Sequence, residues 1–200
     1  MSERLLIIVV AVLASLVIGL GLFWHPDTAP TPVAVSPLPP GGDFTLQSAD
    51  GPVTLGNSRG KLSLLYFGYT YCPDICPTTL TALTAGMVLL TPEERARLAV
   101  FFISVDPQRD TVDHLKTYVE FFDPGIVGVT GNPAEIAELA TRYGVFYKAQ
   151  PAEMAGAAYV VDHSAETFIV GPDTRLLARM AHGTPPDQVA ALIRQYLNQP

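Results

Sequence analysis

Two cysteines, Cys72 and Cys76, are the only ones in the 200 residues, and three residues separate them in Tyr69-Thr70-Tyr71-Cys72-Pro73-Asp74-Ile75-Cys76-Pro77. Thiolate is a soft ligand and a strong nucleophile, so a close pair either holds a soft metal or cycles through a disulfide. A purely structural disulfide is the plainer reading, but closing so short a loop stabilises by only about 2 kcal/mol. A chain of this size buries an adequate core without that staple. Each cysteine precedes a proline, which pushes it toward extended backbone. Pro77 suits the first helical position, making Cys76 the expected N-cap of a helix through Thr78 to Leu89. A turn at a helix N-terminus favours thiolate through the macrodipole and the unpaired N–H groups.

Of the four histidines, His25 follows an apolar run, His114 lies on a solvated helix side and His182 sits beside Gly183 in a loop. Each reads singly as a surface or capping residue. His163 differs. It follows an apolar strand, where a central strand is expected to emerge from the fold, and Asp162 and Ser164 flank it. A neighbouring carboxylate or hydroxyl can fix an imidazole tautomer, as metal-bound histidines require. Spacing alone does not bring His163 to Cys72.

Net charge of −7 and a pI near 4.9, with no basic run, argue against nucleic acid as a partner. Leu5 to Trp24 (LLIIVVAVLASLVIGLGLFW) carries no charge and is about the length of a membrane-crossing helix. It exceeds a signal-peptide core and lacks an A-x-A-like site, so residues 1–25 read as a membrane anchor. Arg4 precedes the run and no Lys or Arg falls between Trp24 and Arg59. This places the N-terminus in the cytoplasm and the remainder on the periplasmic or extracytoplasmic side of an inner membrane crossed once. Residues 26–42, with six prolines from Pro26 to Pro40, read as a semi-extended linker. One folded domain, residues 43–200, follows.

Within it, Asp43 to Leu55 reads as a hairpin with Phe44, Leu46, Val53 and Leu55 inward. Leu62–Phe67 and Leu98–Val105 read as buried strands. Between them Leu80, Leu83, Met87 and Leu90 fall at helical spacing, with Met87 as core rather than ligand. Thr91-Pro92 opens a helical turn, Thr111 caps a helix through Phe122, and Val127–Thr130 is a third strand. Pro133 starts a helix that Gly144 ends. Tyr147–Ala158 reads as an exposed loop, Tyr159–Val161, Thr167–Val170 and Leu176–Met180 as strands, and Pro185-Pro186 as the lead into a last helix bearing Val189, Leu192, Ile193 and Tyr196. This order predicts an α/β fold, a central mixed sheet with helices on both faces. A strand leading into a cysteine turn and a helix is the thioredoxin arrangement, with three residues between the cysteines where thioredoxins carry two.

Four stretches, Phe67-Gly68-Tyr69-Thr70-Tyr71-Cys72-Pro73-Asp74-Ile75-Cys76-Pro77-Thr78-Thr79-Leu80, Asp106-Pro107-Gln108-Arg109-Asp110-Thr111, Gly128-Val129-Thr130-Gly131 and Val161-Asp162-His163-Ser164, together resemble the Sco/SenC family of copper-binding cytochrome c oxidase assembly proteins. The resemblance covers nearly everything after the linker. It implies a thioredoxin-like fold on a membrane anchor, and copper bound by two cysteines and a histidine, here Cys72, Cys76 and His163. Such a set suits Cu(I) and can also hold Cu(II), whereas structural zinc sites normally take four protein ligands. The resemblance further implies a metallochaperone rather than an enzyme, one that helps insert copper into the dinuclear centre of cytochrome c oxidase subunit II. Two other readings use the cysteines without His163: a thiol-disulfide oxidoreductase acting on the oxidase's copper-site cysteines, and a peroxidase or redox sensor. Outside the cytoplasm the pair needs a thiol reductant, and another copper chaperone is a further expected partner. The chain departs from the family pattern at Val112, where proline usually follows the DT of DPxRDT, and in its Ala-rich loop before Tyr159.

Overall fold

The computed structural model describes residues 3–23, 38–58, 60–150 and 159–199, in two compact units, Met1–Pro37 and Leu38–Pro200. The first contains α1 (Glu3–Phe23), 21 residues without a charge after Arg4. Among the described residues no helix is long and apolar enough to cross a membrane; several side chains of α1, those of Leu5, Leu6 and Val10 included, fall outside them. Trp24, His25 and the prolines up to residue 37 also lie outside the described residues. Gly41 and Gly42, placed in the linker by composition, are tied to the second unit: Gly41 donates to the Arg142 carbonyl at 3.0 Å, and the Gly42 carbonyl accepts from the Tyr143 hydroxyl at 2.7 Å.

The second unit opens with the expected hairpin, β1 (Thr45–Ser48) and β2 (Gly51–Thr54), and continues through β3 (Leu62–Gly68), α2 (Ile75–Val88), α3 (Pro92–Ala96), β4 (Leu98–Ser104), α4 (Val112–Glu120), β5 (Ile126–Val129), α5 (Pro133–Tyr143), β6 (Tyr147–Ala149), β7 (Val161–His163), β8 (Thr167–Val170), β9 (Leu176–Met180) and α6 (Pro186–Leu197). Five strands form the central sheet in the order β5-β4-β3-β8-β9. The β3–β4 and β4–β5 pairs are parallel, and the β3–β8 and β8–β9 pairs antiparallel. The mixed sheet is therefore as anticipated.

Every residue of β3 is buried, which is why its sequence is apolar at almost every position rather than alternating, with Ser63 the exception. Successive side chains point to opposite faces and so divide the core in two. Leu62, Leu64 and Tyr66 pack with Leu80, Leu83 and Met87 of α2, Leu115 of α4 and Ile193 of α6. Leu65 and Phe67 pack with Phe44, Leu46 and the α5 residues Ile136, Leu139 and Tyr143. Met87 is core, as its spacing indicates.

Helix ends follow local chemistry. Thr91 caps α3 through a reciprocal box with Glu94, Asn132 does the same for α5 with Glu135, and Gly144 closes α5 at φ 67°, a left-handed position that glycine takes without a Cβ penalty. One expected cap is corrected. Helix α2 begins at Ile75 with Asp74 at the N-cap, so Cys76 is the second helical residue rather than the cap. The first N–H groups of a helix have no partner within it, so Pro77 is tolerated in the first turn and does not force the helix to start beyond it.

The C-terminal half brings two more corrections. Tyr147–Ala149, read as loop, pairs antiparallel with β7 in a two-stranded ribbon separate from the central sheet. Residues 151–158, the rest of that expected loop, lie outside the described residues. His163 accordingly stands on this ribbon and not at the end of a central strand; Val161 of the apolar run before it packs with Tyr69 and Val105 without entering the sheet.

Candidate metal centre

The cysteine half of the site grows out of the middle of the sheet. Beyond β3 the chain turns through a Cys72 N–H bond to the Tyr69 carbonyl at 3.2 Å and enters α2. Asp74 makes no side-chain cap; the Cys72 sulfur takes that place, accepting from the Cys76 N–H at 3.4 Å. Cys76 is fully buried and Cys72 half-buried, and both are free thiols. Gly68 makes room for them, since a Cβ there would lie 2.7 Å from the Cys76 sulfur and 3.0 Å from the Phe102 ring.

The histidine half arrives from 87 residues away, with Nε2 of His163 3.3 Å from the Cys76 sulfur. Its Nδ1 lies 2.9 Å from the Ser164 carbonyl. A carbonyl only accepts, so Nδ1 carries the proton and Nε2 presents its lone pair to the sulfurs. The tautomer is thus set by backbone, not by the side chains of Asp162 or Ser164. Asp162 is exposed and accepts from Gln150, while the Ser164 hydroxyl accepts from the Phe146 N–H at 3.0 Å. The rings of Tyr66 and Tyr69 stand edge-on to the imidazole at 6.4 and 5.7 Å, and the Tyr69 hydroxyl accepts from the Val161 N–H at 3.2 Å.

Asp106 to Thr111 joins the two halves. Asp110, fully buried, accepts from the Thr70 N–H at 3.1 Å and hydroxyl at 2.6 Å, and from the Ser104 hydroxyl at 2.6 Å; three hydrogen bonds compensate a carboxylate taken out of water and hold the cysteine turn. Arg109 faces the other way. It is paired with Asp106, donates to the Tyr159 carbonyl at 2.9 Å, and lies 3.6 Å over the Tyr159 ring and 4.8 Å over that of Tyr71. The Tyr159 hydroxyl closes the circuit on Asp106 at 2.6 Å. The motif thereby clamps the residue before Cys72 to Tyr159, two residues ahead of the strand that carries His163. Thr111, the last residue of the motif, caps α4.

Electrostatics separate the two sulfurs. A hydrogen bond from the Cys76 thiol, supported by the N–H groups of Cys76 and Asp74, outweighs burial and pulls Cys72 down to about 3. Burial, reinforced by the adjacent Cys72, pushes Cys76 far above the ordinary thiol range. The half-exposed sulfur is the one that ionises and the buried one keeps its proton.

Sγ of Cys72, Sγ of Cys76 and Nε2 of His163 all lie within 4.8 Å of one another. Metal–sulfur and metal–nitrogen bonds of about 2.0–2.3 Å put three ligand atoms around one ion at roughly 3.5–4.5 Å from each other, so the three atoms stand close to the spacing that one ion needs. Among the described residues this is the sole such cluster. The other described histidines are elsewhere: His182 Nδ1 meets the Thr79 hydroxyl at 2.8 Å, and His114 packs on Tyr71 at 5.6 Å. Asp74 stays at the exposed turn, accepting from Thr78 at 3.1 Å. Sequence reading did not assign Asp110, Arg109 and Tyr159 their positions; the DPQRDT run was visible, but nothing local says that its acid and its base reach opposite halves of one site.

The SCO1/SenC family model matches residues 35–198. Over 134 residues the chain is 42% identical to Protein SCO1 homolog 1, mitochondrial, of Arabidopsis thaliana, an alignment covering 66% of this chain and 40% of that protein. Over 138 residues it is 37% identical to Protein SCO2, mitochondrial, of Saccharomyces cerevisiae, covering 68% and 46%. The chain thus spans less than half the length of these two relatives. Among solved structures, ScoI of Bradyrhizobium japonicum with copper bound superposes with a TM-score of 0.71 at 37% identity, over 78% of this chain and 99% of that one. A match running from the end of the linker to the last helix leaves one assignment: the chain belongs to the SCO1/SenC family.

Proposed function

We propose that the protein is a copper metallochaperone that carries its metal on Cys72, Cys76 and His163 and passes it to the dinuclear copper centre of cytochrome c oxidase subunit II. The observation that carries this reading is the convergence of two sulfurs and one imidazole nitrogen within 4.8 Å, in a protein whose structural relative holds copper. Two thiolates and one neutral imidazole suit Cu(I), a soft ion content with low coordination; zinc would want a fourth protein ligand. Cargo is copper, as Cu(I), Cu(II) or both. Loading deprotonates Cys76, and the N-terminus of α2 stabilises the net negative charge that two thiolates leave around Cu(I). Cys72, half-buried, is the sulfur that an incoming partner thiolate reaches first.

Helix α1 serves as the anchor in this reading. Its 21 residues span about 31 Å at roughly 1.5 Å each, close to a bilayer's hydrocarbon thickness. Arg4 keeps the N-terminus cytoplasmic and leaves the second unit on the periplasmic or extracytoplasmic side. There a thiol reductant, and a copper chaperone upstream, complete the set of partners.

Anaerobic copper titration of the full chain in detergent, for wild type, Cys72→Ala, Cys76→Ala and His163→Ala, tests the reading. It stands if wild type retains about one copper and each variant binds more weakly; retention by His163→Ala at wild-type strength sinks it. A second reading, a thiol-disulfide reductase acting on the oxidase's copper-site cysteines, draws on the contrast between a Cys72 thiolate and a Cys76 thiol. It requires His163→Ala to keep full disulfide-reducing activity on an oxidised peptide, with Cys72→Ala inactive.

A further inference from the structure

Tyr66 is fully buried on β3, where phenylalanine would fill nearly the same space. A buried hydroxyl without a partner is destabilising, and Tyr66 has one: the Cys76 sulfur, 3.7 Å from its oxygen, an ordinary span for so large an acceptor atom. The Thr79 hydroxyl, also a neighbour of the Tyr66 phenol, spends its one proton on the Ile75 carbonyl at 2.8 Å and meets His182 at 2.8 Å.

We propose that Tyr66 is a positioning residue for the metal centre, whose O–H, delivered from the middle of the sheet, donates a hydrogen bond to the Cys76 sulfur and draws electron density from it. The inference rests on the copper reading for its spectroscopic consequence and on the thiol pair alone for its redox consequence. A phenol keeps its proton at neutral pH, so the hydroxyl is available as a donor. Hydrogen bonds to a metal-bound sulfur make it a poorer electron donor and so favour the reduced metal. In the copper-free pair the same bond favours the dithiol, because a disulfide sulfur accepts more weakly than a thiol or thiolate sulfur.

The test compares wild type, Tyr66→Phe and Tyr118→Phe. The last removes a buried hydroxyl that has no hydrogen-bond partner among the described residues, from a ring in the same half of the core. In Tyr66→Phe the sulfur-to-Cu(II) charge-transfer band moves to lower energy. The Cu(II)/Cu(I) equilibrium shifts toward Cu(II) by roughly three- to tenfold, or about 30–60 mV at about 59 mV per decade. In copper-free protein equilibrated with dithiothreitol, formation of the Cys72–Cys76 disulfide, with two electrons and the thiol protons passing to oxidised dithiothreitol, becomes three- to tenfold more favourable. Tyr118→Phe leaves all three readouts in place. The proposal is overturned if Tyr66→Phe folds with an unmoved band and an unmoved dithiol equilibrium, or if Tyr118→Phe shifts them equally. Should wild type bind no copper, the metallochaperone reading fails by itself, and the dithiothreitol equilibrium still decides the role of Tyr66.

Discussion

The two halves of the candidate centre are built in different ways. Cys72 and Cys76 hang on a strand whose seven residues are all buried and on a helix whose apolar face is packed into the core. His163 sits on a three-residue strand of a two-stranded ribbon, fastened by Arg109, Tyr159 and a few backbone hydrogen bonds. A deep half fixes the sulfurs, and a shallow half brings the imidazole to them. Local opening costs least where few apolar contacts and short ladders hold an element. Copper capture and release should therefore run through the ribbon, while the sulfurs stay where the core puts them.

The strongest way to break this contrast is to disturb the deep half. Gly68→Ala introduces a Cβ 2.7 Å from the Cys76 sulfur in a region that cannot relax; we expect a stability loss of about 1–3 kcal/mol in urea unfolding together with copper affinity reduced roughly 100-fold in a chelator competition. Unchanged affinity would mean that the sulfur is not held by packing. Asp110→Ala leaves the Thr70 and Ser104 donors unsatisfied behind the turn and should cost about 3 kcal/mol, read in the same unfolding curves.

The shallow half should behave otherwise. Arg109→Ala removes the stacking, the bond to the Tyr159 carbonyl and the ion-pair partner of the buried Asp106. Stability should fall by about 2 kcal/mol and copper affinity by roughly tenfold, with faster hydrogen exchange confined to Val161–His163 and its partner strand. Equal exchange along β3 would erase the distinction between the halves.

The smallest effect is a pH dependence that resolves the two sulfurs. A thiol held near 3, against about 8.5 when unfolded, has a depressed folded value. Its contribution to stability is present above the unfolded value and is lost as pH falls through that window toward the folded one. Cys72 should accordingly react with iodoacetamide at a nearly constant rate from about pH 5 to 8, where an ordinary thiol slows about tenfold per unit. In Cys76→Ala, which removes the leading cause of the shift, the rate should become pH-dependent. A flat profile in that variant would assign the shift to other groups.

Much of this architecture is legible in the chain because it rests on local rules. Buried strands such as Leu62–Gly68 and Leu98–Ser104 are predominantly apolar rather than alternating, and Thr91, Asn132 and Gly144 mark helix ends through chemistry a few residues long. Misreadings fall where tertiary contacts outweigh local preference. Cys76 enters α2 ahead of a proline, and Tyr147–Ala149 becomes a strand because Val161–His163 lies alongside to receive its hydrogen bonds.

By itself, then, the sequence determined a cysteine pair at the head of a helix, an α/β sheet to present it, and through its motifs a resemblance that named His163 as the third ligand. Only the tertiary structure decided that His163 Nε2 comes within 3.3 Å of the Cys76 sulfur across 87 residues, that Asp110 and Arg109 grip opposite halves of the centre, and that a tyrosine from the central strand reaches the buried sulfur. The reason is physical: spacing constrains atoms within a turn or two of backbone, whereas a meeting across the fold depends on how strands and helices pack, and no short stretch of chain contains that information.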